Sequence, residues 1–141
     1  MTTKPEVSIV VASYCGQSTL SRCLTRLLPQ TSESTQVIVA STLEETERSA
    51  MAEQFPQVDF LPTVEPELDD PRLNETRVFR LRSAGIKAAL GNVVLLTEDH
   101  IITGPNWLKA MQDSHATTKR VVGGPVDPGT DASIYIWALY L

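Results

Sequence analysis

The feature that most constrains this chain is a recurrence of short apolar runs, each closed by polar residues and followed by a stretch of helical periodicity. Val7-Ser8-Ile9-Val10-Val11-Ala12 is the first run, Val37-Ile38-Val39-Ala40 the second, and Val93-Val94-Leu95-Leu96 a later one. Such nearly continuous β-branched runs suit strands buried on both faces of a parallel sheet, where helices cover each side and leave no face to water. Between them, Leu20, Cys23, Leu24, Leu27 and Leu28 recur at helical spacing, with Ser18 as the expected cap and Pro29 as the stop. Thr42-x-x-Glu45 reads as a capping box opening a helix that runs to about Phe55, and Val58 to Leu61 as a third strand.

The segment 62–71 is proline-rich and acidic without periodicity, and so predicts a surface loop of the kind that borders binding sites. Asn74 is the expected cap of the next helix. Its Val78, Leu81, Ile86 and Ala89 face one way, while Arg77, Arg80, Arg82 and Lys87 lie elsewhere and Gly91 stands as the C′ residue. A helix around Trp107 to Ser114 and a strand at Val121-Val122 complete the pattern. Strands alternating with helices require right-handed crossovers, so the expected fold class is α/β, a mostly parallel sheet with helices on both faces. At 141 residues a single domain with a substantial core is expected over the whole length.

A net charge of −5 argues against sequence-independent nucleic-acid binding, which runs on basic residues that displace counterions from phosphates. Cys15 and Cys23 can make at most one bridge, and a domain of this size needs none, so both are read as reduced thiols in a cytoplasmic protein. The N-terminus lacks the basic stretch and the length of a secretory signal. The apolar segment Ile134 to Leu141 falls well short of the ~20 residues that span a bilayer. Its aromatics, Tyr135, Trp137 and Tyr140, suit packing on the domain, an acceptor site, or contact with a second copy or a partner chain.

Open parallel sheets bind ligands at the carboxyl ends of their strands. Ser13-Tyr14, Ser41-Thr42 and Glu98-Asp99 all fall at such ends. The first loop carries only Gly16, so it lacks the G-x-G-x-x-G of dinucleotide enzymes, and neither a P-loop string nor a G-x-S-x-G elbow occurs. Cys15 and Cys23 do not form a zinc pair of usual spacing with His100 or His115. What remains is Glu98-Asp99 closing an apolar strand, where adjacent carboxylates are costly unless something positive neutralises them. A divalent cation that also takes substrate phosphates would do so; two solvated acids at a loop start are the plainer alternative. His100 is either a further metal ligand or phosphate donor, or a solvated loop side chain; His115 reads as a surface residue and Trp107 as a packing anchor.

Taken in order, these segments resemble the family 2 glycosyltransferases from Val7 to about Val126. Val7 to Gly16 is similar to the family's V-S-V-I-I-P-T-Y-N-G, with Leu20 and Cys23-Leu24 in the places of its L-x-x-C-L. Arg82 to Gly91 is similar to R-N-x-G-I-x-x-A-x-G, and Val93 to Asp99 to the strand ending in Asp-x-Asp. Pro105-Asn106-Trp107-Leu108 and Val121 to Val126 match P-x-W-L and V-G-G-P-V. The resemblance implies a GT-A fold that binds a UDP- or GDP-linked sugar and transfers it, with inversion, to a hydroxyl of a glycan or lipid acceptor, in the cytoplasm or at the inner face of the membrane. By position it implies that Ala12, Ser13 and Tyr14 border the nucleoside, that Ser41 stands where the family places a base-reading acid, and that Arg77 or Arg82 meets base or phosphate. Asp99 becomes the ligand of a divalent metal, Mg or Mn, with Glu98 beside ribose or metal. This chain departs from the pattern at Thr97, Ala40-Ser41 and Ser83. The family's general base lies further downstream than Asp127 or Asp131, so the expectation is a nucleotide-sugar-binding half, truncated before the acceptor half; a non-catalytic binding or assembly module of a polysaccharide-making complex is the alternative.

Overall fold

The computed structural model describes residues 4–64 and 76–129. In chain order they form β1 (Val7–Ser13), α1 (Gln17–Leu27) with a 3-10 turn at Leu28–Gln30, β2 (Thr35–Ser41), α2 (Glu45–Gln54), β3 (Asp59–Phe60), α3 (Arg77–Ala88), β4 (Val93–Glu98) and α4 (Trp107–Thr118). The strands make one sheet in the order β3-β2-β1-β4. Every pairing is parallel, and β1 aligns Val7 with both Thr35 and Val93. The chain therefore steps outward from β1 through β2 to β3 and then returns to the other side of β1. Right-handed crossovers in opposite directions put α1 and α2 on one face and α3 on the other. They also open a crevice where the direction reverses, at the carboxyl ends of β1 and β4.

β1 is buried along its whole length, as a central strand covered on both faces must be. Its one mid-strand polar side chain is satisfied: Ser8 Oγ donates to Gln36 Oε1 at 2.6 Å and accepts from Gly91 N–H at 2.8 Å. Gly91 is thus explained by proximity. Its φ is not positive, and an added Cβ would lie 2.5 Å from Ser8 N and 2.7 Å from the Val7 carbonyl carbon. The expected C′ role is corrected, since α3 already ends at Ala88 with Ala89 extended behind it. Gly85 likewise lets α3 lie close on β1, because a Cβ there would meet Val10 Cγ1 at 2.2 Å. Beside this contact Ala12, Ala40 and Leu81 form a buried cluster, with Tyr14, Leu61 and Val64 against it.

Other expectations shift by a few residues. α1 starts behind Gly16, whose φ of 92° only glycine adopts without strain, so Ser18 lies inside the first turn and does not cap. The capping box of α2 closes on Glu44 and Glu47 instead of Thr42 and Glu45, because Leu43 turns inward and is buried before the helix begins. The third strand is confined to Asp59–Phe60. β4 is not covered on both faces: Leu95 and Thr97 are buried while Val94 and Leu96 are exposed, as suits the edge strand of the described sheet.

One compact unit ends at Trp107 and a second begins at Leu108. Within the second, α4 carries a Lys109–Asp113 ion pair of 2.6 Å one turn apart, and Lys119, at φ 53°, stops the helix with its N–H on His115 O. Residues 121–129 then run without regular structure and Val121 is fully exposed, so the expected strand at Val121-Val122 is not formed. The expected cap Asn74, most of the acidic loop, Asp131 and the aromatic segment Ile134 to Leu141 lie outside the described residues. No described helix is long and apolar enough to cross a membrane.

Candidate functional site

The site is built at the carboxyl ends of β1 and β4. Their ladder continues one step past β4, with Asp99 N–H on Ala12 O at 3.0 Å, which fixes the acid beside the loop that leaves β1. Asp99 is completely buried. Its Oδ2 accepts Ser13 Oγ–H at 2.9 Å, Tyr14 N–H at 2.9 Å and Cys15 N–H at 2.8 Å. Bonds from neutral donors to a carboxylate are among the stronger hydrogen bonds, so this oxygen anchors the loop and fixes the orientation of the carboxylate. The other oxygen, Oδ1, is buried and has no hydrogen-bond partner.

Glu98 does different work. Its Oε1 is paired with Arg82 Nη2, and its Oε2 accepts the Tyr14 hydroxyl at 2.6 Å. Arg82 reaches it from α3 while keeping Nε buried and without a partner. Burial, and after it the hydrogen bond to Glu98, hold the Tyr14 hydroxyl protonated well above the ordinary tyrosine range. His100, half exposed, places Nδ1 3.6 Å from Glu98 Oε2 and 3.7 Å from Asp99 Oδ1, beyond hydrogen-bond length in both cases. Its ring meets that of Tyr14 edge-on at 6.0 Å.

Of the residues singled out in the sequence, Ser13, Tyr14, Arg82, Glu98, Asp99 and His100 come together in this network. Ser41 pairs in register with Ser13, and its buried hydroxyl has no partner. Ala12 is a core residue whose carbonyl serves the site. Arg77 opens α3, five positions before Arg82 and so roughly 140° around the helix from it. Sequence reasoning weighed Cys15 only as a partner for Cys23 or a zinc pair. The structure puts Cys15 with Asp99 and His100, one ligand atom from each lying within 4.8 Å of the others. The signal was the parallel register, which sets the residues just after β1 opposite those just after β4. Loss of solvent, and then the charge of Asp99, raise the Cys15 thiol above its ordinary range. Cys23 is buried beneath the same strand end, its thiol on Glu98 O at 3.8 Å, and burial pushes it up to about 12.

A separate depression of about 300 Å³ on α1, lined by Ser21, Arg22, Thr25, Arg26 and Ile102, shares no residue with this network. Compared with known proteins, residues 8–139 match the family model described as Glycosyl transferase family 2. No curated protein matches the chain.

Proposed function

We propose, from the fact that the chain belongs to glycosyltransferase family 2, that it binds a nucleoside-diphosphate sugar at the carboxyl ends of β1, β2 and β4 and passes the sugar to a glycan or lipid hydroxyl with inversion. One observation carries the reading: Ser41 Oγ, Arg82 Nε and Asp99 Oδ1, all near these strand ends, are buried without partners. Leaving a buried polar atom unsatisfied costs about 1–3 kcal/mol, so such atoms at the carboxyl ends of a parallel sheet support a ligand-binding role there.

In this reading Asp99, with the neighbouring His100, holds a divalent ion through its unpartnered oxygen, and the donor set fits because that oxygen is buried, fixed in direction and negatively charged. A divalent ion held there would neutralise the departing diphosphate. Arg82 keeps its Nε–H for a phosphate or base oxygen while Glu98 holds its Nη2. Glu98, engaged by Arg82 and Tyr14, positions these two side chains and offers its remaining lone pairs to a ribose hydroxyl. Ser41, in the place of the family's acid, reads the base through its hydroxyl. Ser13 and Tyr14 line the nucleoside through the loop that Asp99 anchors. In this reading the protein works in the cytoplasm and meets its acceptor at the inner face of the membrane, and reduced Cys15 and Cys23 are in keeping with that compartment.

The test is isothermal titration of the full chain with UDP and with GDP, each with and without Mn²⁺ or Mg²⁺, followed by an assay of donor hydrolysis and transfer. Metal-dependent binding of one nucleotide, lost in Asp99→Asn, is expected. Silence in every titration would overturn the reading, and affinity without turnover would make the chain a binding module.

A further inference from the structure

We propose that Cys15, Asp99 and His100 form a thiolate–carboxylate–imidazole site for a borderline-soft first-row ion, Zn²⁺ foremost, in preference to Mg²⁺. The inference names the ion for the site proposed above; it rests on that reading for the role of the ion, while the ligands are argued from geometry alone.

Three features point the same way. The carboxylate is completely buried, and the donors from Ser13, Tyr14 and Cys15 occupy one oxygen and leave the other unpartnered. The same Cys15 N–H bond that orients the acid ties the cysteine backbone beside it. His100 follows Asp99 directly and brings Nδ1 to 3.7 Å from the unpartnered Oδ1.

Ligand atoms of a tetrahedral zinc ion stand roughly 3.3–3.6 Å apart when metal–ligand bonds are about 2.0–2.3 Å. The imidazole–carboxylate pair is already near that spacing, and the trio, within 4.8 Å, closes by rotation of two exposed side chains, Cys15 and His100, around one fixed acid. Mg²⁺ selects oxygen donors in an octahedron and keeps several waters, whereas thiolate and imidazole donors favour Zn²⁺ and its neighbours. Glu98 is the acid that would have made an all-oxygen pair, and both of its oxygens are engaged by Arg82 and Tyr14. Binding displaces the Sγ–H proton of Cys15 to solvent and forms the metal–sulfur bond, with no change of oxidation state. Three protein donors leave a fourth position open to water or a phosphate oxygen, the arrangement of a site that handles substrate.

The experiment is Co²⁺ titration of the metal-stripped full chain in the absence of nucleotide, read by electronic absorption and followed by competition with Zn²⁺ and Mg²⁺. A one-to-one complex with a sulfur-to-cobalt charge-transfer band and tetrahedral d–d bands is expected. Zn²⁺ should displace the cobalt where Mg²⁺ in large excess does not. Cys15→Ser, a change at an exposed thiol that leaves the buried core intact, should abolish the charge-transfer band. Both Cys15→Ser and His100→Ala should weaken Zn²⁺ binding by more than about tenfold, the least that disturbing a metal's surroundings usually costs. A complex without the charge-transfer band, or affinity indifferent to Cys15→Ser, would overturn the inference. In that event metal-dependent UDP or GDP binding, measured separately with Mg²⁺, would leave the nucleotide-sugar reading standing. The reverse result, a thiolate-ligated ion and no nucleotide affinity, would remove that reading and keep the metal site.

Discussion

Removing the Asp99 carboxylate tests whether one buried oxygen organises the loop between β1 and α1. In Asp99→Ala the amides of Tyr14 and Cys15 and the hydroxyl of Ser13 lose their acceptor together. The serine hydroxyl can rotate to another partner, but the two amides are fixed by the backbone. At about 1–3 kcal/mol for each orphaned donor, the two amides set a loss of about 2–6 kcal/mol. Cys15 is exposed and Tyr14 half-buried, so water replaces part of what is lost and the expected figure is about 2–3 kcal/mol. Asp99→Asn keeps an oxygen in the same place and turns three charge-assisted bonds into neutral ones. Relief of repulsion from Glu98 offsets part of that change, and about 1 kcal/mol is expected.

The assay is urea unfolding followed by circular dichroism, with amide exchange at Tyr14 and Cys15 as the local readout. Exchange at these amides should accelerate in the alanine variant far more than at Ile9 or Val10 in the middle of β1. A loss below about 0.5 kcal/mol for Asp99→Ala, the scatter of ordinary surface changes, would refute the anchoring argument. Equal losses for Ala and Asn would refute it too, since the acceptor survives only in Asn.

Gly91→Ala should destabilise by about 3 kcal/mol or more and exceed Gly85→Ala, because the Gly91 Cβ meets the β1 backbone whereas the Gly85 Cβ meets the Val10 side chain; thermal melts of the two variants give the order. The Cys23 thiol, held neutral by burial, ties stability to pH. Stability is fully present below the ordinary thiol value of 9.0 and is lost as pH climbs toward the folded value of about 12, by at most about 4 kcal/mol. Denaturation midpoints from pH 8 upward should fall less steeply in Cys23→Ala than in the parent, and an unchanged alkaline slope would contradict this. In the native protein a thiol reagent should modify exposed Cys15 and reach Cys23 only on unfolding. Arg82→Gln should lower nucleotide affinity by more than about tenfold, as loss of a charged hydrogen bond of about 1.5–3 kcal/mol implies; calorimetry checks it.

The central strands were legible because burial on two faces leaves a nearly continuous apolar string, and β1 and β2 both show it. β4 carries the same kind of string, yet its Val94 and Leu96 face outward, and no pattern within those residues separates an edge strand from a central one. Helix starts moved because a cap is decided by where the chain must turn inward. Leu43 is buried and Gly16 alone adopts the required φ, and neither fact shows in the hydroxyl and carboxyl residues that usually mark a cap.

The site was legible as a place and less so as an arrangement. Glu98 and Asp99 read as one pair, but successive residues of an extended chain project to opposite sides. Glu98 pairs in register with Ala12 and so joins Tyr14, Leu81 and Arg82 on the α3 side, whereas Asp99 turns to the side of Ser13 and the loop that follows it. Two consecutive acids at the end of a strand therefore divide their labour by parity alone: one holds the basic helix and the other holds the neighbouring loop. An ion at the second acid must draw its further ligands from what lies across the crevice and just beyond it in sequence, which here means Cys15 and His100.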